Sequence, residues 1–183
     1  MLYNILVPYV GDVTLFNLFR YLTFRSGGAI ITALLISFLI GPRLIAWLRK
    51  KQQHGQPIRE DGPESHLLSK KGTPTMGGLM MLFAVTFSTL LWADLTNHYV
   101  WICLFVTLGY GLIGFMDDYL KVSKKNTKGL AGKKKLVLQF AIALAAALWI
   151  SAITPASLSH HVALPFVKNF LLDFGMLYAP FVI

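Results

Sequence analysis

Charge is missing from this chain in blocks long enough to cross a membrane. Between residues 73 and 116 the only formal charge is Asp94, which separates uncharged runs of 21 and 22 residues. Residues 136–167 hold no Asp, Glu, Lys or Arg, and the apolar part, 136–153, fills 18 positions. Upstream, residues 26–42 are uncharged over 17 positions, and 44–48 prolong the run beyond Arg43. A hydrocarbon core about 30 Å thick takes roughly 20 apolar residues of helix. Four spans are therefore expected, near 26–48, 74–93, 99–116 and 136–154. A soluble helical bundle would need polar faces at helical spacing, and these runs offer almost none. The expected fold is an all-α, polytopic membrane bundle forming one domain over 1–183. A fifth span is expected to open near residue 170 and to be truncated at 183.

Composition supports this and narrows the alternatives. The 183 residues are 55% hydrophobic and 14% charged, with a mean hydropathy of +0.59. Soluble domains carry about 45–50% apolar and about 25% charged residues. Disorder is excluded by the apolar content, and a disulfide scaffold by the single Cys103. The N-terminus does not have the pattern of a cleavable signal peptide, because its first basic residue is Arg20. Residues 2–19 mix apolar side chains with Asn4, Pro8, Gly11 and Asp12, as a short interfacial helix or a re-entrant piece would.

The chain is nevertheless basic, with 17 Lys+Arg against 8 Asp+Glu. Fourteen of the 17 lie in or beside two loops, 49–73 and 117–135. The first group is Arg43, Arg49, Lys50, Lys51, Arg59, Lys70 and Lys71. The second is Lys121, Lys124, Lys125, Lys128, Lys133, Lys134 and Lys135. Consecutive spans alternate sides, so both loops fall on one face, which the positive-inside rule makes cytoplasmic. The N-terminus is then expected outside. Topology and attraction to anionic lipid account for part of this charge. Nucleic acid is not an expected partner, since the basic loops adjoin a membrane and lack interleaved aromatics.

Two carboxylates interrupt the basic face where the third span ends, Asp117 and Asp118. Adjacent carboxylates at a bilayer boundary repel each other and resist desolvation. They persist if they share a cation or a metal–phosphate complex, or if lysines such as Lys121 and Lys124 compensate them. Mg²⁺ commonly takes one or two carboxylates plus substrate phosphates. Before the second span, Gly72, Pro74, Gly77 and Gly78 allow close backbone approach, and Lys70, Lys71, Thr73 and Thr75 add donors. That mixture suits a phosphate at a helix N-terminus. It also suits a turn that caps a membrane helix, with Gly77-Gly78 used for helix packing. The five histidines lack zinc-ligand spacing, and no Walker, G-x-S-x-G or H-E-x-x-H motif is present. A transporter or channel would carry ionisable groups inside its spans, whereas here they gather at one boundary. A non-catalytic membrane scaffold is the other alternative.

Several segments recur together in one family. They are Tyr21-Leu22-Thr23-Phe24-Arg25, Gly41-Pro42-Arg43, Asp61-Gly62-Pro63-Glu64-Ser65-His66, Lys71-Gly72-Thr73-Pro74-Thr75-Met76-Gly77-Gly78 and Gly114-Phe115-Met116-Asp117-Asp118-Tyr119. In this order they resemble the bacterial phospho-N-acetylmuramoyl-pentapeptide transferases, of the polyprenyl-phosphate phosphosugar transferase superfamily. The resemblance implies a ten-span enzyme of the inner membrane. It would transfer phospho-MurNAc-pentapeptide from UDP-MurNAc-pentapeptide to undecaprenyl phosphate with Mg²⁺, giving lipid I and UMP. Carried over by position, Asp117 and Asp118 match the family's essential aspartates and are candidate metal ligands. Lys70 and Thr75 match residues lining the nucleotide-sugar site. Lys121 and Lys135 fall near lysines that meet phosphates, although three consecutive lysines leave the register of the last one open. Asp-Asp-x-x-Lys also differs from the Asp-Asp-x-x-Asp of soluble prenyl synthases. The family's Asn/Asp-rich uridine-binding loop, third aspartate and histidine cluster are not in this sequence. The resemblance therefore implies the first half of the enzyme, inactive by itself. The choice between a base and a covalent nucleophile stays open, as does oligomeric state, a homodimer being one option.

Overall fold

The structure is a computed structural model that describes residues 1–52, 75–124, 129–155, 158, 160–163 and 171–182. Lys70 and the 61–66 loop lie outside the described residues. A short helix α1 (Leu2–Leu6) and two 3-10 segments, Val7–Gly11 and Thr14–Arg20, precede the long helices. These are α2 (Leu22–Lys51), α3 (Gly78–Trp92), α4 (His98–Ser123) and α5 (Gly132–Ile153). Two three-residue strands follow, β1 (His161–Ala163) and β2 (Leu171–Asp173), then a 3-10 turn and α6 (Tyr178–Val182).

Among the described residues, three helices are long and apolar enough to span a bilayer: α2, α4 and α5, of 30, 26 and 22 residues. At 1.5 Å per residue, α5, the shortest of them, is about 33 Å long. The helix in the second expected span is shorter. α3 has 15 residues, about 22 Å. Its start was expected near Pro74, but Thr75 and Met76 are not helical and the helix opens at Gly78. Pro42, inside α2, does not end that helix. The far end of the chain also differs from expectation. β1 pairs antiparallel with β2, with Val162 opposite Leu172. The Gly175 N–H donates to Asp173 Oδ1 at 2.9 Å, and Gly175 takes φ +47°. This turn delays the helix expected from residue 170 until Tyr178.

The long helices pack in chain order, each antiparallel to the next. α2 lies along α3, where Gly28 backs onto Trp92 and Gly41 onto Met80. α3 meets α4 where Gly111 faces Leu82, and α4 meets α5 where Gly109 faces Ile142. Small residues bring helices close where no hydrophobic effect drives them together. Ala84, Ala143, Ala146 and Ala147 are buried in the same seams. The outward faces remain apolar: Phe38, Leu112 and Leu148 are 73%, 58% and 60% exposed. Such surface would be a liability in water and is what a lipid-facing helix presents.

Candidate functional site at the basic end of the bundle

The antiparallel order brings four helix ends together: the end of α2, the approach to α3, the end of α4 and the approach to α5. Asp117 and Asp118 lie near the C-terminal end of α4, where carbonyl groups already make the potential negative. Lys121, one turn further on, relieves the repulsion. Its Nζ lies 2.7 Å from Asp117 Oδ2 and 3.6 Å from Asp118 Oδ1.

The two carboxylates are held differently. Asp117 Oδ1 accepts the Leu130 N–H at 2.8 Å, so both its oxygens have close partners. Its side chain is 14% exposed. Asp118 Oδ2 accepts the Thr75 hydroxyl at 2.9 Å; among the described residues Oδ1 has only the distant lysine, and the side chain is 32% exposed. Asp118 is therefore the member of the pair with an oxygen to offer a ligand.

The loop before α5 approaches Asp117 so closely that no side chain fits. Gly129 has φ +57°, and a Cβ there would stand 2.5 Å from Asp117 Oδ1 and 2.8 Å from Lys121 Cε. Thr75 is fixed from the other side by Gln52, the residue that ends α2. The Thr75 N–H donates to Gln52 Oε1 at 2.9 Å, and Gln52 Nε2 donates to the Thr75 carbonyl at 3.2 Å.

Of the residues singled out from sequence, the structure brings Thr75, Asp117, Asp118 and Lys121 into one cluster. Lys135 sits in the first turn of α5, where its charge acts on Asp117, but no ion pair joins it to either aspartate. Lys133, Lys134 and Lys135 occupy a helix N-terminus, where the dipole disfavours cations, so helix stability does not explain them. Sequence reasoning missed Gln52, Gly129 and Leu130. A lone glycine in a lysine-rich loop is a turn signal that would have pointed to Gly129. Nothing in the run Arg49-Lys50-Lys51-Gln52 marks an amide that reaches Thr75. Among the described residues, no group of three His, Cys, Asp or Glu is placed to hold a metal ion.

Fold and site together define a multi-pass, all-α membrane protein with an acidic pair, a lysine and a threonine clustered at its basic boundary. No protein-family model matches the chain. The chain is a homologue of bacterial phospho-N-acetylmuramoyl-pentapeptide-transferases. It is 58% identical over 181 residues to the one from Granulibacter bethesdensis, covering 99% of this chain and 50% of that protein. Over 173 residues it is 59% identical to the one from Ruegeria pomeroyi, covering 94% and 47%. The Maricaulis maris protein is 51% identical over 187 residues, covering 99% and 51%. The chain thus spans about half the length of the curated relatives it matches.

Proposed function

We propose that this chain contributes part of the site of a phospho-N-acetylmuramoyl-pentapeptide transferase at the cytoplasmic face of the bacterial inner membrane. What carries the reading is the meeting of Thr75, Asp117, Asp118 and Lys121 at one membrane boundary, in a chain related over 99% of its length to proteins of that name. The basic end faces the cytoplasm by the positive-inside rule, which puts residue 1 outside.

In the proposed reaction an oxygen of undecaprenyl phosphate bonds to the sugar-bearing phosphorus of UDP-MurNAc-pentapeptide. The bond to the leaving phosphate breaks, giving lipid I and UMP. Such transfers are catalysed chiefly by positioning and by offsetting phosphate charge. Lys121 supplies a cation for that purpose, and Lys70 and Lys135 are assigned to phosphates in the same proposal. Asp118 takes the substrate-facing role, because among the described residues its Oδ1 has only the lysine at 3.6 Å. Asp117 holds Lys121 and the Gly129-Leu130 turn in place.

Mg²⁺ belongs to this proposal. One available carboxylate completed by substrate phosphates is a habitual Mg²⁺ environment, and Asp118 fits it while Asp117 is fully engaged. The ion would offset charge on the diphosphate.

The test uses the full-length protein. Asp118→Asn is expected to cut lipid I formation by about 100-fold or more while membrane insertion is kept, and normal turnover would sink the assignment. Exchange of labelled UMP into the UDP-linked sugar separates an enzyme from a scaffold. Residues 1–183 alone are expected to make no lipid I. Whether the full-length protein forms a homodimer, one of the options left open, is checked by cross-linking it in membranes.

A further inference from the structure

Gln52 is 8% exposed, one of the buried polar residues of the described core. An amide at a helix end ordinarily turns to water, since a long flexible side chain loses rotamer freedom when buried. This one is used instead as a template. Its two bonds to Thr75, one given and one received, imitate a rung of a β-ladder and satisfy both backbone groups of that residue. The chain then turns sharply. Met76 has φ +73°, a left-handed conformation that residues with side chains seldom adopt and that persists where the surroundings over-determine it. Gly77 follows and α3 begins. The hold on Thr75 and the reversal at Met76 together aim the Thr75 hydroxyl at Asp118 Oδ2, 2.9 Å away.

We infer that Gln52 is a positioning residue for phosphosugar transfer. Its amide sets Thr75, and Thr75 sets Asp118 with Oδ1 directed away from the threonine and open to the substrates. The inference rests on the transferase reading of the site. Gln52 touches neither carboxylate, so it acts only through Thr75, and its loss changes how well Asp118 is aimed rather than how tightly substrates bind.

The experiment measures lipid I formation by the full-length protein, resolving kcat from the KM of each substrate. Q52A is expected to lower kcat by about tenfold to a hundredfold, the range a small misplacement of a reacting group produces, with both KM values within twofold. T75V is expected to act similarly, and Q52A in the T75V background to cost nothing more, because the two lie on one relay. Q52E keeps the shape but sets an acceptor against the Thr75 carbonyl. Its rate relative to the parent is expected to rise as pH falls, when the introduced carboxyl gains a proton to donate. Q52E also serves if Q52A fails to insert. Q52A within twofold of the parent, full additivity with T75V, or a pH-independent ratio for Q52E would each overturn the inference. A full-length parent that makes no lipid I overturns the transferase reading, and this one with it. An active parent with silent Gln52 variants overturns this one alone.

Discussion

Asp94 and Asp118 sit at opposite ends of the same bundle, and both accept hydrogen bonds from other side chains. At the Asp94 end, Asp94 Oδ1 accepts from Asn4 Nδ2 at 2.9 Å, from the Thr96 N–H at 3.0 Å and from the Thr96 hydroxyl at 2.7 Å. Asn4 Oδ1 in turn accepts the Leu95 N–H, and the Met1 ammonium donates to the carbonyls of Leu90 and Ala93. These side chains are short, and the partners lie within the loop or on the segment docked against it. At the Asp118 end the partners include a lysine on a flexible stem, shared unequally between two carboxylates. A carboxylate surrounded by short neutral donors ties one segment to another. A carboxylate facing a movable cation, with one oxygen loosely engaged, is arranged to exchange partners.

The largest expected effect tests that contrast directly. In the full-length protein, Asp118→Asn should cost about 100-fold or more in lipid I formation, and Asp94→Asn less than about threefold, both scored per folded molecule. Equal losses at the two ends would end the distinction. Gly129→Ala comes next. Its Cβ would strike Asp117 Oδ1, and φ +57° adds roughly 1–2 kcal/mol of backbone strain, so kcat is expected to fall by about tenfold with a small drop in melting temperature. Gly28→Ala is the counterpart in the other half of the bundle. A Cβ there would lie 2.5 Å from the Trp92 ring, and overpacking of this kind costs about 1–3 kcal/mol. The melting temperature should fall while kcat per folded molecule is kept.

The smallest effect is one of pH. Burial pushes the Asp94 carboxyl up, but the hydrogen bonds from Thr96 and Asn4 and the charge of Arg25 outweigh it and hold the group below the usual carboxylate range. A depressed value means that the contact stabilises fully above the unfolded carboxyl's pKa and loses its effect as pH falls through the folded one. Acidification below about pH 4 should therefore loosen residues 1–20, read as faster hydrogen exchange there, and Asp94→Asn should flatten that dependence.

How much of this was legible in the sequence depends on the range of the forces involved. Three of the spans could be read because a bilayer penalises charge over some 20 consecutive residues, a requirement written continuously along the chain. The Asp117–Asp118 pair stood out because carboxylates are scarce at that boundary. The length of α3 could not be read from Pro74 and the glycines, because Thr75, just before its start at Gly78, is held by Gln52, 23 residues earlier. The β1–β2 hairpin was missed because three-residue strands leave no periodicity to detect. Lys121 was expected near phosphate because the family resemblance carries that role over to its position. That it bridges both aspartates unequally depends on where the backbone of residues 129–130 lies, which no local pattern encodes.

The packing of each long helix against its neighbour in sequence has a consequence for biosynthesis. Contacts between adjacent segments close short loops, at low entropic cost, so the bundle can assemble in the order in which the ribosome releases it. Gln52 can meet Thr75 once the start of α3 has emerged, Thr75 can meet Asp118 once α4 is made, and Leu130 reaches Asp117 last. The acidic pair is thus gripped one partner at a time, and its final hold is set only by the chain that leads into α5.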